Sequence, residues 1–216
     1  MKRIIIPFPV IILFSLNAFA YDFSAVAPSG QTLYYNIDGG NVQVTYPGSY
    51  NSGYYYGHAK PTGSLTIPSS VTYGGQTYVV TSIGNHTFHD CYQLTSVSIP
   101  NTVISIEEGA FYVCTGLTSL TIPNSVTSIG SSAYYGCYGL TSLYIGNSVA
   151  AIAQNAFYNC YGLTSLSIPN SVTFIGNSAF SGCHGLTSLS IGDSVTSIDQ
   201  NAFSGCEGLT TPNTYW

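Results

Sequence analysis

The chain has 216 residues, a formal net charge of −5 and only 5% charged residues, of which three are basic: Lys2, Arg3 and Lys60. That composition excludes partners held by clustered positive charge, so neither a nucleic-acid backbone nor an anionic membrane surface has a counterpart here. Recognition is left to aromatic, hydroxyl and backbone contacts, which 19 tyrosines and abundant Ser, Thr and Asn supply.

The N-terminus reads Met1-Lys2-Arg3, an apolar run from Ile4 to Leu16, then Ala18-Phe19-Ala20. A short basic segment, a short apolar run and an A-x-A site together predict a secretory signal peptide over residues 1–20. The run is too short to span a bilayer and is interrupted by Pro7 and Pro9. Cleavage after Ala20 leaves Lys60 as the only basic residue and takes the net charge from −5 to −7. No cysteine follows the cleavage site to carry a lipid, and no later segment is long and apolar enough to cross a membrane, so membrane insertion is not expected.

Residues 21–64 predict an N-terminal β-rich cap. Thr32–Ile37 and Asn41–Tyr46 flank Asp38-Gly39-Gly40 as a hairpin, and Tyr46–Lys60, rich in Pro, Gly, Ser and Tyr, reads as a loop. From residue 65 the composition changes to a repeat. Leu65-Thr66-Ile67-Pro68 begins a partial unit over 65–90, interrupted by a second hairpin with a Gly74-Gly75 turn. Cys91, Cys114, Cys137, Cys160, Cys183 and Cys206 then follow one another at a constant spacing of 23 residues. They open the full units 91–113, 114–136, 137–159, 160–182 and 183–205 and a partial unit over 206–216. In the fourth, the recurrent apolar positions are Cys160, Leu163, Leu166, Ile168, Val172, Ile175, Ala179 and Phe180.

The alternation Leu166-x-Ile168 predicts a short strand with two inward side chains. Pro169-Asn170 turns the chain, Val172–Ile175 predicts a second extended stretch, and Ala179-Phe180 a corner of short helix or turn. A unit this small buries its apolar face only against its neighbours. The period and the L-x-x-L-x-I centre therefore predict a mainly β leucine-rich repeat solenoid, with a parallel sheet of the first strands along one face and a β-hairpin cap. Equivalent cysteines in stacked coils lie roughly 4.8 Å apart, whereas a disulfide brings Cβ atoms to about 3.8 Å in a twisted approach. A buried ladder of free thiols is thus expected. The last unit decays after Leu209 into Thr-Thr-Pro-Asn-Thr-Tyr-Trp, a thin cover for a core edge, which predicts a shortened chain or self-association through that end.

The phrase L-T-S-L-x-I-P-N-S-V-T-S-I-G-x-x-A-F-x-x-C resembles the BspA-like, treponemal-type branch of the leucine-rich repeats. Leu117–Cys137 matches it with Tyr134 in place of Phe. The opening from Tyr21 and the hairpin from Val71 are similar to leaders found before such arrays. The resemblance implies a secreted or surface-exposed protein of the kind linked in several members to adhesion to matrix proteins or other cells.

No constellation of residues points to catalysis. His86-x-x-His89-Asp90-Cys91 has metal-ligand residue types, but the repeat places Cys91 in the buried ladder and the histidines at variable corner positions, so they read as surface side chains. Glu107-Glu108 are adjacent and point apart, and no G-x-S-x-G occurs. No enzyme, metal or cofactor is expected. Tyrosine is the pattern that packing does not demand. Tyr112, Tyr135 and Tyr158 share one repeat position, and Tyr92, Tyr138 and Tyr161 share another. Tyr144 stands in the outward Ser/Thr row of the first strands. These rows read either as a binding surface or as shielding of a solenoid edge. The expectation is an exported, non-enzymatic interaction protein that adheres to protein or glycan on a host, a matrix or a neighbouring cell. The alternative is a structural or assembly module without a ligand.

Overall fold

Each 23-residue unit closes one coil, and at its corner the backbone bonds both within the coil and to the next one. The N–H groups of Phe88, Phe111, Tyr134, Phe157 and Phe180 donate to the carbonyls of Ala110, Ala133, Ala156, Ala179 and Ala202 at 2.7–2.8 Å. Buried backbone groups must be paired, and this cross-coil pairing lets so short a unit satisfy them. The structure, a computed structural model, describes residues 21–48, 53–55 and 57–209. The signal peptide expected at 1–20 and the chain end after Leu209 lie outside these residues.

The strands are β1 (Phe23–Val26), β2 (Thr32–Asp38), β3 (Asn41–Thr45), β4 (Gly63–Thr66), β5 (Ser70–Tyr73), β6 (Gln76–Ile83), β7 (Leu94–Ser98), β8 (Ser105–Ile106), β9 (Ser119–Thr121), β10 (Ser128–Ile129), β11 (Ser142–Tyr144), β12 (Ala151–Ile152), β13 (Ser165–Ile168), β14 (Phe174–Ile175), β15 (Ser188–Ile191) and β16 (Ser197–Ile198). The antiparallel pairs β1–β2, β2–β3 and β5–β6 form the hairpins. β3 then joins β6 in parallel and continues into the second strand of every coil, giving a 10-stranded sheet. The cap and the repeats therefore share one sheet.

The first strands pair in parallel along one face, as expected, but the sheet they make is interrupted. They form a four-stranded sheet, β11-β9-β7-β4, and a separate pair, β13-β15. The residue after each first strand accounts for much of this. Where it is glycine, coils close up: β9–β11 pair over three residues ahead of Gly146, and β13–β15 over four ahead of Gly192. A Cβ at Gly146 would lie 2.5 Å from the Pro123 carbonyl oxygen, and one at Gly192 would lie 2.8 Å from the Asn170 nitrogen, so only glycine allows that approach. Where it is proline, the N–H is missing and the ring adds bulk. β7 and β9 share a single pair ahead of Pro123, and β11 and β13 are not paired ahead of Pro169. The pair β4–β7, ahead of Pro100, keeps four positions only with a register shift.

The corners are turns, and no helix occurs among the described residues. Two positions in each coil have left-handed backbone, which a right-handed helix cannot accommodate. One is held by His86, Gly109, Ser132, Asn155, Ser178 and Asn201, the other by Asp90, Val113, Gly136, Asn159, Gly182 and Gly205. Inside the corner the rings of Phe88, Phe111, Tyr134, Phe157, Phe180 and Phe203 stack at centroid spacings of 4.9–5.4 Å. Tyr134 is the one phenol in this file. Its buried hydroxyl has no hydrogen-bond partner.

All six cysteines are free and buried. Each thiol after the first donates to the carbonyl of the aromatic residue 26 positions earlier: Cys114 to Phe88, Cys137 to Phe111, Cys160 to Tyr134, Cys183 to Phe157 and Cys206 to Phe180, at 3.1–3.5 Å. Burial pushes the Cys91 and Cys137 thiols up to about 12, and Cys114 and Cys160 well above their ordinary value. Because the thiolate is the reactive form, Cys91, Cys114, Cys137 and Cys160 should not react with an aromatic disulfide reagent at neutral pH in the native protein, and all six thiols should react in denaturant. A stoichiometric disulfide between neighbouring coils in a non-reducing peptide map would contradict this.

Replacing Tyr134 by Phe removes a buried hydroxyl that has no partner, a group that costs about 1–3 kcal/mol. Tyr134→Phe should therefore raise the urea midpoint by an amount equivalent to about 1 kcal/mol with the slope unchanged. A fall in the midpoint would show that the hydroxyl is bonded in solution.

Candidate functional site

In-register stacking turns each recurrent tyrosine into a row. Tyr112, Tyr135 and Tyr158 stack face to face at 4.7 and 4.8 Å with interplanar angles of 8° and 10°. The row continues toward the cap: His89 lies 4.8 Å from Tyr112 at 10°, and Tyr54 lies 4.5 Å from His89 and 5.0 Å from His86. Tyr46 meets Tyr54 edge-on at 4.9 Å. These six rings, from Tyr46 to Tyr158, are partly buried.

A second, more exposed row runs beside the first. Tyr138 and Tyr161 stack at 4.9 Å, and His184 extends the row at 5.3 Å. Tyr138 and Tyr161 are 40% and 41% exposed. Thr115 interrupts the row, so Tyr92 stands apart under Lys60, whose Nζ is 4.8 Å from the ring centroid and donates to the Asp90 carbonyl at 3.0 Å. Burial raises the Tyr135 phenol above its ordinary value, and the neighbouring hydroxyls of Tyr112, Tyr158, Tyr138 and Tyr161 raise it further. Tyr112 is raised by burial first, then by Tyr138 and Asp90. The two rows form one patch of rings whose hydroxyls can donate and accept hydrogen bonds.

Stacking also fixes what the patch presents. Faces that cover one another are closed to a ligand, so the rows offer ring edges and hydroxyls, with free faces only at the row ends. Tyr158 is such an end, because the next coil carries Ser181. Tyr144 belongs to neither row. It is 48% exposed on the first-strand face, and its hydroxyl lies 3.4 Å from the Asn124 Oδ1. The structure therefore brings Tyr112, Tyr135, Tyr138, Tyr158 and Tyr161 together and leaves Tyr144 apart. The residues missed from sequence are Tyr54, His89 and His184. His89 and His184 occupy row positions and could have been read from the alignment, whereas Tyr54 arrives from the cap with no repeat to mark it.

The histidines of the His86–Cys91 segment were expected at the surface, but they are half-buried under Tyr54. Cys91 turns into the core, with its Sγ 4.0 Å from the His89 carbonyl oxygen. Glu107 accepts from Gln43 Nε2 at 2.6 Å. The expected self-association surface, Pro212–Trp216, lies outside the described residues. Among the described residues no helix is long and apolar enough to cross a membrane.

A solenoid of parallel strands with one leucine-rich phrase per coil defines the class as a leucine-rich repeat protein. The model for the BspA type leucine rich repeat region matches residues 81–210 in six copies, and the chain belongs to that family. A leucine-rich repeat protein from Bacteroides ovatus is 34% identical with a TM-score of 0.74 over 88% of this chain and 46% of its own. A leucine rich cell surface protein from Faecalibacterium prausnitzii is 32% identical with a TM-score of 0.70 over 85% of this chain and 46% of its own. The chain thus spans about half the length of each. The leucine rich repeat protein of T. pallidum, 23% identical, shares the fold with a TM-score of 0.65 over 85% of this chain and 89% of its own. No curated protein sequence matches the chain.

Burial lowers the affinity of His86 and His89 for a proton. Glu108 opposes this at His86 and Asp90 at His89, while His86 and Lys60 reinforce it at His89. The unfolded chain takes these protons near pH 6.5 and the folded chain only at lower pH. Stability present above that value should therefore fall as the pH drops below about 6.5. Urea midpoints between about pH 7.5 and 5.5 should decline in the parent and decline less in a His86→Gln/His89→Tyr variant. Equal slopes in the two proteins would show that these histidines do not carry the effect.

Proposed function

We propose that this is an exported, non-enzymatic interaction protein that adheres to protein or glycan on a host cell, a matrix or a neighbouring cell. The contact surface is the tyrosine patch of Tyr112, Tyr135, Tyr138, Tyr158 and Tyr161. The observation that carries the reading is the pair of stacked rows. They place exposed and partly exposed hydrogen-bonding aromatics on consecutive coils at positions where other coils keep Ser, His or Glu. Contiguous exposed aromatic surface of this kind often marks an interaction site, and tyrosine combines an apolar body with a polar tip. Family membership supports an interaction role, and the F. prausnitzii relative, described as a cell surface protein, supports export. Lys60 is engaged with Tyr92 and Asp90, so binding should depend little on long-range charge and change little with salt.

The test separates hydroxyls from rings. Beads coated with the protein are measured for retention on immobilised matrix proteins and on epithelial cells. A Tyr138→Ser/Tyr161→Ser variant strips the outer row, and a Tyr135→Phe/Tyr158→Phe variant keeps the inner stack while removing its hydroxyls. The combined variant should lose retention while keeping its β circular-dichroism spectrum. Retention equal to the parent's would reduce the patch to edge shielding.

A further inference from the structure

The repeat fails at one place on the first-strand face. Between coils 137–159 and 160–182 the strands β11 and β13 are unpaired, although the second strands β12 and β14 of the same coils remain paired. The corner asparagines show the same opening. Asn124 Oδ1 accepts the Asn147 N–H, and Asn170 Oδ1 accepts the Asp193 N–H, each at 2.9 Å. The corresponding bond from Asn147 to the coil of Pro169 is not made. Ser171 repeats the omission: Ser125, at its position two coils earlier, donates to the Val103 carbonyl at 2.6 Å, whereas the Ser171 Oγ is buried without a partner.

The opening is a groove of about 520 Å³, within the range of roughly 300–1,000 Å³ that ligand pockets occupy. Tyr144 forms one wall, with Ser167, Pro169 and Asn170 opposite and Asn147 and Ser171 beside them. Tyr144 is the only aromatic residue in its outward row, which otherwise reads Ser98, Thr121, Ser167 and Ser190. Among the described residues its ring stacks on no other ring, so unlike the tyrosines of the two rows it has faces open to a ligand.

The geometry points to a subsite for one neutral sugar ring of a glycan, stacked on Tyr144 and hydrogen-bonded to Asn147 and Ser171. Three properties choose this occupant. An open aromatic face accepts the apolar C–H face of a pyranose. The Ser171 hydroxyl is buried with no partner among the described residues, the exposed Asn147 amide stands beside it, and an unmet buried polar group favours a ligand rich in hydroxyls. No lining residue carries a charge, so an anionic sugar or a phosphate gains nothing there. The inference rests on the reading of the chain as an interaction protein and gives that reading a ligand class and a second surface.

The experiment titrates the isotopically labelled protein with neutral malto-, cello-, manno- and chito-hexaoses and follows amide shifts by NMR. At least one sugar should shift Asn147, Asn170 and Ser171 saturably. Tyr144→Ala should weaken that binding about tenfold or more, and Tyr144→Phe should retain most of it. Tyr144 is exposed, so both variants should keep the parent's spectrum elsewhere. Absence of binding for all four sugars, or binding unaltered in Tyr144→Ala, would overturn the proposal. Bead retention lost in the tyrosine-row variant, with no sugar bound by the parent, would overturn the sugar subsite and leave the adhesion reading standing. Sugar binding that needs Tyr144, with retention indifferent to every variant, would overturn the tyrosine-row reading and leave the subsite.

Discussion

The corner hydrogen bond from the aromatic residue of one coil to the alanine carbonyl of the next sets the order of the whole structure. It recurs at each joint from Phe88–Ala110 to Phe180–Ala202, and it admits no slip, because a displaced coil would leave buried backbone groups unpaired. Fixed register then makes each side chain lie on its own counterpart. Rings stack on rings in the core, thiols follow thiols, and the outer tyrosines form rows. Alanine beside the aromatic is the small residue that leaves space for this contact, and Ala110, Ala133, Ala156 and Ala179 are fully buried. The thiol ladder depends on the same geometry, since each Sγ after the first reaches back to the carbonyl of the aromatic residue 26 positions earlier.

Much of the fold was legible because a repeat presents the same evidence several times over. One unit leaves Cys160, Leu163, Leu166 and Phe180 ambiguous between buried strand and buried helix. Several aligned copies separate the positions that never vary from those that do. The hairpins β2–β3 and β5–β6 were legible from a different signal, glycine pairs between alternating strands, whereas β1–β2 turns without one. What was not legible was which sheet would be continuous. Both extended stretches carry two inward apolar side chains, and the difference lies in the residue after the second of them in the first stretch, which is proline at Pro100, Pro123 and Pro169 and glycine at Gly146 and Gly192. Read as turn residues, proline and glycine look equivalent. As a contact with the neighbouring coil, one bars close approach and the other requires it.

The corner shows the same limit of local reading. Ala-Phe after an apolar stretch is compatible with a short helix, and the left-handed positions that forbid one are signalled only across units, by His86, Ser132 and Asn155 at one place and Asp90, Gly136 and Asn159 at the other. The candidate surface was half legible. Rows of tyrosine followed directly from the register, but the orientation of the rings did not, and orientation decides what a ligand meets. Cofacial rings hide their faces and expose edges, so the rows suit hydrogen bonding and edge contact, whereas Tyr144, outside any stack, keeps its faces. Tyr54 shows the remaining gap, because a cap residue that completes a row has no repeat position to reveal it.

A solenoid in strict register copies every surface position along its length, and a surface that repeats without variation cannot favour one point of attachment over another. Specific recognition in such a fold must come from departures that packing tolerates. The outward positions are where tolerance is greatest, since a serine exchanged for a tyrosine there leaves the buried file untouched. The departures of this chain are concentrated: the recurrent tyrosines of the two rows fall between residues 92 and 161, and the one outward aromatic of the first strands adjoins the joint that Pro169 holds open. Proline loses a ladder bond at that joint, yet the continuous second sheet and the corner bonds keep the coils together. The fold can therefore open one face without losing its register, and Tyr144 stands at that opening.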